Sequence, residues 1–483
     1  MAKYTTRNLF LGLPEAEAEA QNMLNLYQDY MGIETALSHG KFIVTGRKGS
    51  GKSAYAVWLN EEAKTSQEIW CKIVKHNDRL LEQVFRIPDA AGFDMVVLFE
   101  WIIIYHLIIL ITDSGEGKYG EYASKLYDFR KDNAKLMNEG MYDLKELVNK
   151  GGIDLTSLRI PLLKIYGTSE KKLYKADFLS TIHYLKAVLI EALKQENLKH
   201  LKYYVIFDDL DVKFKLTSET DKVKLVDLIR TVRDYNTSHL LGTASRVVLL
   251  LRDDISAKLS GVECDTNKIL ESYEHRIDWY THYDDGNHLR QFINRRIALA
   301  LEKNRISVNL KDKDYWNWLV GSEIDYKSSF KYILDNTYYL PRDILTIFKE
   351  IGARSYSIPI SRDKIDFLLE EYAKSKFYEI RNELVVVWNE QKIDTIFEML
   401  GDMFDLICDR NDISYEDLSK LAEDYKLMEN DLDILVEYSL IIPRDIHTNK
   451  LFIKYREKVP TRKKTRYFYG LHKVLMLYFN EMQ

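Results

Sequence analysis

This sequence predicts an α/β core with a mostly parallel sheet and helices on both faces. The core is extended by a helical insertion, a helical lid and a C-terminal winged-helix domain. Short apolar runs alternate with helix-length segments in the first part of the chain, and a glycine-rich octet joins the first run to a helix. In the last third, three helical stretches precede two strand-like runs. These observations place the core at 1–280 with the insertion at about 76–200, the lid at 281–356 and the winged helix at 357–483.

The composition excludes several classes of protein. Of 483 residues, 46% are hydrophobic and 30% charged, with only 7 Pro, so collagen-like and intrinsically disordered chains are ruled out. A net charge of −5 gives no global reason to expect a nucleic-acid partner. Three widely spaced cysteines predict neither a disulfide framework nor a structural zinc, and residues 1–10 lack a secretory signal pattern. We therefore expect a cytoplasmic protein.

One apolar segment requires a membrane test. Met95–Ile111 reads MVVLFEWIIIYHLIILI and is nearly long enough to cross a bilayer. It contains Glu100 and His106, and an acidic residue in mid-span costs about 3 kcal/mol unless it is paired. No Lys/Arg-rich flank brackets the segment. The sequence favours a helix buried in the protein core over a membrane contact.

The strongest motif follows the first apolar run. Lys41–Thr45 predicts a short strand, and Ala54–Ala63 predicts a helix. Between them lies a complete G-x-x-x-x-G-K-[ST] motif, formed by Gly46, Arg47, Lys48, Gly49, Ser50, Gly51, Lys52 and Ser53. A strand before and a helix after are the context that a P-loop requires, because backbone N–H groups and a helix N-terminus then face the phosphates. Lys52 would contact the β- and γ-phosphates of a nucleotide, and the Ser53 hydroxyl would bind Mg²⁺.

A later apolar run ends in acidic residues. Tyr203–Asp209 reads YYVIFDD, five apolar or aromatic residues followed by two carboxylates. A P-loop needs a buried strand that ends in a carboxylate on the metal side, and we assign this role to Asp208. Asp209 is the candidate catalytic base that would orient the attacking water. The alternative for Asp209 is that it only caps the next element.

Two arginines stand where a sensor of the γ-phosphate would be useful. Arg252 ends the apolar run Arg246–Leu251, which we expect to lie beside the acidic strand. Arg342 follows Pro341, and a proline at a helix start places it in the first turn, directed back at the nucleotide. Each arginine could instead form a structural ion pair.

Together these motifs resemble a known group of ATPases. The octet GRKGSGKS, the acidic DDLD, the strand ending in arginine and the LPRDIL helix are similar to those of the AAA+-related STAND ATPases (signal-transduction ATPases with numerous domains) and of the replication initiators. The resemblance covers residues 40–350 and extends to stand-alone bacterial P-loop ATPases encoded near antiviral defence genes. It implies an ATP- and Mg²⁺-dependent switch with Lys52, Asp209, Arg252 and Arg342 as catalytic residues. It also implies a homo-oligomer or a partner protein from the same operon.

The chain departs from this group in two respects. About 150 residues separate the first strand from the acidic strand, which is longer than the usual core. The second acidic position is Asp209, where most robust AAA+ motors have glutamate, so hydrolysis is expected to be slow. No N-K-x-D motif for reading guanine follows the acidic strand, which favours ATP by elimination.

The C-terminal third predicts a winged helix with an unusual surface. Helical stretches near 393–407, 414–425 and 429–438 precede strand-like runs at 440–443 and 450–455. The helix that would enter the major groove of DNA contains four acidic residues and no basic one. Such a surface repels phosphate.

The tail that follows is basic. Residues 440–483 contain ten Lys or Arg and three Asp or Glu, a net charge of +7. Basic residues followed by aromatic ones are typical of surfaces that track a nucleic-acid backbone and stack its bases. The candidate contacts are Lys454, Arg456, Arg462, Lys463, Lys464 and Arg466. Neutralisation of acidic neighbours within the same protein is the favoured alternative.

Three functions stay open at this point. The first is an ATP-dependent switch or assembly factor in bacterial antiviral defence, in which the defence role rests only on the resemblance. The second is a DNA-binding ATPase of the initiator or loader type. The third is a P-loop kinase, which would need neither paired sensor arginines nor a winged helix.

Overall fold

The computed structural model describes most of the chain as two compact units. The described residues are 4–86, 94–115, 120–139, 178–210, 218–259, 265–280, 287–308, 310, 314–407, 412–453 and 464–482. One unit spans residues 20–277, and the other combines the residues up to 19 with residues 278–483. The predicted end of the core at residue 280 lies beside this division. The finer division at residue 357 stays a prediction.

A five-stranded parallel sheet forms the centre of the first unit. Its strands are β1 (Ile43–Gly46), β2 (Ile69–Val74), β3 (Lys202–Phe207), β4 (Arg246–Arg252) and β5 (Glu274–Arg276). They lie in the order β2–β3–β4–β1–β5. β1 and β4 are buried along almost their whole length, which explains why they read as continuous apolar runs. The strands predicted from the apolar runs at 41–45, 203–209 and 246–251 are confirmed.

Helices flank this sheet. They include α1 (Met23–Leu26), α2 (Ile33–Ser38), α3 (Lys52–Thr65), α4 (Arg79–Arg86), α5 (Met95–Gly115), α6 (Glu121–Asp132), α7 (Ala134–Glu139), α8 (Phe178–Lys194), α9 (Glu219–Asp234), α10 (Asp253–Leu259) and α11 (Thr266–Tyr273). α3 begins at the lysine of the octet and packs on β1 and β2, whereas α5 packs on β2 and β3. The strand, loop and helix predicted around the octet are therefore confirmed.

α5 is the segment that required the membrane test. By length and composition it could cross a membrane, and 78% of its most apolar window is buried inside the protein. Its two ionisable side chains have partners there. The Glu100 carboxylate lies 2.7 Å from the Lys186 ammonium, and the His106 ring lies 3.5 Å from the Asp78 carboxylate. Pairing of this kind is what a polar side chain in a protein core requires.

The Glu100–Lys186 pair provides a test of α5 as a core helix. Glu100→Ala is expected to lower the free energy of unfolding in urea by about 3 kcal/mol, because it leaves the mostly buried Lys186 ammonium without this partner. The matched control is Glu191→Ala, which changes an exposed glutamate of α8 and should cost under about 0.5 kcal/mol. Equal losses for the two variants would contradict the role of the pair.

The second unit is mostly helical. Its helices include α12 (His288–Lys303), α13 (Tyr315–Val320), α14 (Ser329–Leu334), α15 (Pro341–Phe348), α16 (Ile351–Arg354), α17 (Arg362–Leu384), α18 (Glu390–Ile407), α19 (Tyr415–Asp424), α20 (Glu429–Glu437) and α21 (Lys473–Met482). A small hairpin pairs β6 (Glu323–Ile324) with β7 (Lys327–Ser328). The helix that Pro341 was predicted to start is confirmed.

A three-stranded antiparallel sheet lies near the C-terminus. It contains β8 (Ile413–Ser414), β9 (Ile441–Asp445) and β10 (Tyr467–Leu471), in the order β8–β10–β9. The strand predicted at 450–455 is wrong for residues 450–453, where Leu451 forms only an isolated bridge, and residues 454–455 lie outside the described residues. The partner of β9 in the sheet is β10. In β10 every second residue is buried, so this strand covers the core with one face.

The N-terminal segment packs with the second unit, although the sequence analysis grouped it with the core. The Thr6 hydroxyl is buried, donates to the Ile351 carbonyl at 2.6 Å and accepts from the Tyr356 N–H at 2.9 Å. Gly352 allows the segment to approach closely, since a Cβ there would lie 2.4 Å from the Leu9 carbonyl oxygen. These contacts join the N-terminal segment to the unit that contains residues 278–483.

Candidate nucleotide-binding site

The octet forms a tight loop between β1 and α3. Gly49 and Gly51 have φ angles of 82° and 98°, a region that side chains disfavour. The Lys52 ammonium donates to the carbonyl oxygens of Gly46 at 2.7 Å and of Arg47 at 3.0 Å, and this lysine is only 9% exposed. Because α3 begins at Lys52, the first N–H groups of this helix open onto the loop. The loop therefore presents backbone donors and an ammonium to an anionic ligand.

Asp208 directly follows β3 and is 2% exposed. Burial and the charge of Asp209 raise the pKa of Asp208 to about 6, although the Ser53 hydroxyl opposes this shift. Its Oδ2 atom is buried and has no hydrogen-bond partner within the described part of the chain. A buried carboxylate oxygen is costly unless a donor or a cation meets it.

Ser53 and Asp208 together fit a magnesium ion. Ser53 is the second residue of α3, and its hydroxyl is close enough to the Asp208 carboxyl group to counteract the rise in the pKa of that group. Hydroxyl and carboxylate oxygens are hard ligands, and Mg²⁺ in phosphate sites uses one or two such protein groups together with water and phosphate. The two predicted metal-side residues are thus brought together, and metal binding itself stays a prediction.

Asp209 is held by a residue that the sequence analysis missed. Its carboxylate lies 2.9 Å from the Lys75 ammonium, and its backbone is left-handed with a φ of 54°. Lys75 comes directly after β2, which pairs with β3, so the ends of these strands place the two side chains together. The only available signal was a lysine at the end of the predicted strand. Aspartate adopts this left-handed conformation more readily than most residues, so it fits the turn directly after β3.

The Lys75–Asp209 pair predicts a measurable restraint on hydrolysis. Lys75→Ala is expected to raise the rate of phosphate release from ATP about fivefold, because breaking a partly exposed ion pair of about 1 kcal/mol frees the Asp209 carboxylate. The control is Lys72→Ala, which changes an exposed lysine of the same strand. A fall in rate for Lys75→Ala alone would instead show that Lys75 assists the reaction.

Arg252 is the last residue of β4 and lies opposite Gly46 in the sheet. β4 is adjacent to β3, as predicted. The guanidinium is 7% exposed and binds Asp254 through two hydrogen bonds, of 3.0 Å and 2.6 Å. The structural ion pair considered as the alternative is therefore present. Contact of Arg252 with a γ-phosphate stays a prediction.

Arg342 belongs to the second unit. It is the second residue of α15, after Pro341, and its guanidinium lies 2.9 Å from the Glu379 carboxylate of α17. An ion pair is thus present for this arginine as well. Its predicted role as a sensor of the γ-phosphate stays a prediction.

Lys464 and Arg466, the two predicted nucleic-acid contacts that the structure describes, both pair with carboxylates. The Lys464 ammonium lies 2.9 Å from Glu429 and 2.6 Å from Asp433, both on the acidic helix α20. The Arg466 guanidinium lies 2.8 Å from Asp445. For these two residues the structure has the neutralisation that the sequence analysis favoured. The other predicted nucleic-acid contacts lie outside the described residues: Lys454, Arg456, Lys463 and Arg462.

This chain is similar to known proteins in sequence and in structure. Residues 287–381 match the family described as the FunZ-associated C-terminal helical domain. An 80.3 kDa protein of transposon gamma-delta from Escherichia coli (strain K12) is 21% identical over 426 residues, a match that covers 82% of this chain and 57% of that protein. This chain therefore spans little more than half the length of that relative. Among solved structures, Cdc6p from Pyrobaculum aerophilum matches at 13% sequence identity with a TM-score of 0.28, covering 98% of this chain and 94% of that one.

Proposed function

We propose that this chain is a cytoplasmic, slowly hydrolysing ATPase of the STAND/AAA+ type that acts as a nucleotide-dependent switch or assembly factor in bacterial antiviral defence. One observation carries the ATPase proposal. The octet, Asp208 with Ser53, and Arg252 all lie at the carboxyl edge of one parallel sheet, where α/β proteins bind their ligands. The defence role rests on the resemblance of the motifs.

The residues at this edge of the sheet would have different roles in hydrolysis. The Lys52 ammonium and the loop N–H groups would offset the negative charge of the β- and γ-phosphates. Asp209 would orient the attacking water and accept its proton. Mg²⁺, when bound at Ser53 and Asp208, would neutralise phosphate oxygens. Slow turnover is expected because Asp209 is held by Lys75.

The test combines assembly with product analysis. Light scattering measures the mass of the full chain without nucleotide, with ADP and with ATP, while phosphate release is followed in parallel. The proposal expects an ATP-dependent increase in mass and phosphate release to water. A monomer that neither binds nor hydrolyses ATP would overturn the proposal. Transfer of phosphate to a second substrate would show that the protein is a P-loop kinase instead.

A second candidate function is a DNA-binding ATPase of the initiator or loader type, with residues 357–483 as a winged-helix domain. The basic tail supports it, together with a relative whose name places it in a transposon. The acidic helix α20 is evidence against DNA binding, because Glu429 and Asp433 repel the phosphates of DNA. The same two carboxylates also pair with Lys464.

This second candidate has its own test. If the tail binds DNA, changing Glu429→Gln and Asp433→Asn together should raise the affinity for duplex DNA about tenfold at low salt, because it releases Lys464 and removes two negative charges. Fluorescence anisotropy measures the affinity at two salt concentrations. The paired control changes Glu423→Gln and Asp424→Asn on α19. Equal affinities for the two double variants and the unchanged protein would exclude the tail as a DNA contact.

A further inference from the structure

Two arginines end the strands on either side of β1. Arg252 is the last residue of β4 and Arg276 is the last residue of β5, and β1 lies between these two strands. Arg252 is paired in register with Gly46, the first residue of the octet, and Arg276 is paired with Thr45. All of these residues belong to the unit that spans residues 20–277. The octet therefore begins between two strand ends that each carry a guanidinium.

Two consecutive aspartates pair with these arginines. Asp253 and Asp254 are the first two residues of α10, which follows β4 directly. The Asp253 carboxylate lies 3.2 Å from the Arg276 guanidinium. The Asp254 carboxylate accepts two hydrogen bonds from Arg252, one at each oxygen. The start of α10 thus supplies a carboxylate to the arginine on each side of β1.

The two ion pairs differ in burial. The side chains of Arg252 and Asp254 are 8% and 14% exposed, whereas that of Arg276 is 58% exposed. An exposed pair such as Arg276–Asp253 is weak because water and salt screen its charges. A mostly buried guanidinium is costly without an anion beside it. Arg252 therefore exchanges Asp254 for another anion much more readily than for water.

The proposed nucleotide would bring such an anion to the same edge of the sheet. The Gly46 carbonyl accepts a hydrogen bond from the Lys52 ammonium at 2.7 Å, and Gly46 is the sheet neighbour of Arg252. A nucleotide bound at Lys52 would thus place its phosphates beside the end of β4. Carboxylates and phosphates both accept paired hydrogen bonds from a guanidinium. Asp254 and a terminal phosphate are therefore chemically equivalent partners for Arg252.

We propose that Asp254 is a positioning residue that competes with the terminal phosphate of ATP for Arg252 and thereby limits the preference for ATP over ADP. This inference rests on the proposed function, in which Arg252 senses that phosphate. ATP gains the contact with Arg252 only by replacing the two hydrogen bonds to Asp254. ADP has no terminal phosphate to offer and leaves Arg252 on Asp254.

Removal of the Asp254 charge should increase the discrimination between the two nucleotides. Asp254→Asn keeps the shape of the side chain but leaves Arg252 without this carboxylate. We expect the ratio of the affinity for ATP to that for ADP to rise about tenfold, the lower end of what a charge-assisted hydrogen bond contributes. In the double variant with Arg252→Ala, the ratio should equal that of Arg252→Ala alone, because the guanidinium under competition is gone.

The experiment is a double-mutant cycle on the full chain, in which fluorescent analogues of ADP and of non-hydrolysable ATP are titrated. Asp253→Asn is the matched control, since it removes the same charge from the adjacent residue but affects only the exposed pair with Arg276. It should change the ratio less than twofold. Equal shifts in Asp253→Asn and Asp254→Asn would show that only the total charge of the edge matters. That result, or a shift that persists without Arg252, would overturn the proposal.

Asp254→Glu keeps the test decisive if Asp254→Asn does not fold. It retains the charge but displaces the carboxylate by one methylene group, so it should raise the ratio at least twofold. An unchanged ratio in Asp254→Glu would overturn the proposal.

Thermal melting provides a second readout. Without nucleotide, Asp254→Asn should melt at a lower temperature than the unchanged protein, because a mostly buried pair is broken. ATP should then raise the melting temperature of the variant by more than that of the unchanged protein, whereas ADP should raise both equally. Equal increases with ATP would contradict the competition. If the chain binds no ATP at all, the proposed function fails, whereas binding that depends on Lys52 without any effect of Asp254 refutes only this inference.

Discussion

Replacing Lys52 by alanine is expected to weaken ATP binding about 100-fold, the largest effect among the binding variants. The Lys52 ammonium is only 9% exposed and bridges the carbonyl oxygens at the end of β1, so it would meet the phosphates as a partly desolvated charge. Charge-assisted hydrogen bonds of this kind contribute about 3 kcal/mol, which corresponds to that factor. Titration of a fluorescent ATP analogue measures the change.

The matched control is Lys64→Ala, in the last turn of the same helix. Lys64 is exposed and pairs with Glu61, so its loss should leave the affinity for ATP within about twofold. Thermal melting without nucleotide checks that both variants fold. Equal affinities for Lys52→Ala and the unchanged protein would show that the octet does not bind phosphate.

Asp209→Asn is expected to reduce phosphate release about 100-fold while the affinity for ATP stays within about threefold. Asparagine has nearly the same shape, but it cannot accept the proton of the attacking water, and general bases commonly contribute at least that factor. The measurement is single-turnover hydrolysis at saturating ATP, which separates chemistry from binding.

Its control is Asp234→Asn at the end of α9, where the carboxylate pairs with Arg233 on the surface. A normal rate for Asp209→Asn would restore the simpler alternative, in which Asp209 only occupies a turn after β3. The combination of Asp209→Asn with Lys75→Ala adds information, because the gain expected from Lys75→Ala should disappear when no carboxylate is left to release.

The sheet and its loop could be predicted from sequence because their signals are local. A buried parallel strand reads as an unbroken apolar run, and β1, β3 and β4 each show this pattern next to a chemically distinctive residue. The same reasoning placed Ser53 and Asp208 on one metal-side site. Their contact in the structure follows from two parallel strands that end at one edge.

Long-range pairings could not be predicted in this way. Lys75 and Asp209 are 134 residues apart, and no periodicity marks a lysine after a strand as the partner of a particular carboxylate. Glu379 lies within a long helix rich in charged residues. The sequence alone does not distinguish its paired side chain from acidic side chains of the same helix that face solvent. The β10 strand was missed for a different reason, since its aromatic residues also fit a surface that stacks nucleic-acid bases.

The N-terminal segment packs in one unit with residues 278–483, and this has a consequence for synthesis on the ribosome. Residues 20–277 emerge as a contiguous stretch and can complete their sheet early, while Thr6 must wait for Ile351, its partner 345 residues later. A fragment that begins at residue 278 would therefore lack part of its own packing. Joining residues 4–19 to its C-terminus by circular permutation, or adding them as a peptide, would be needed to complete it.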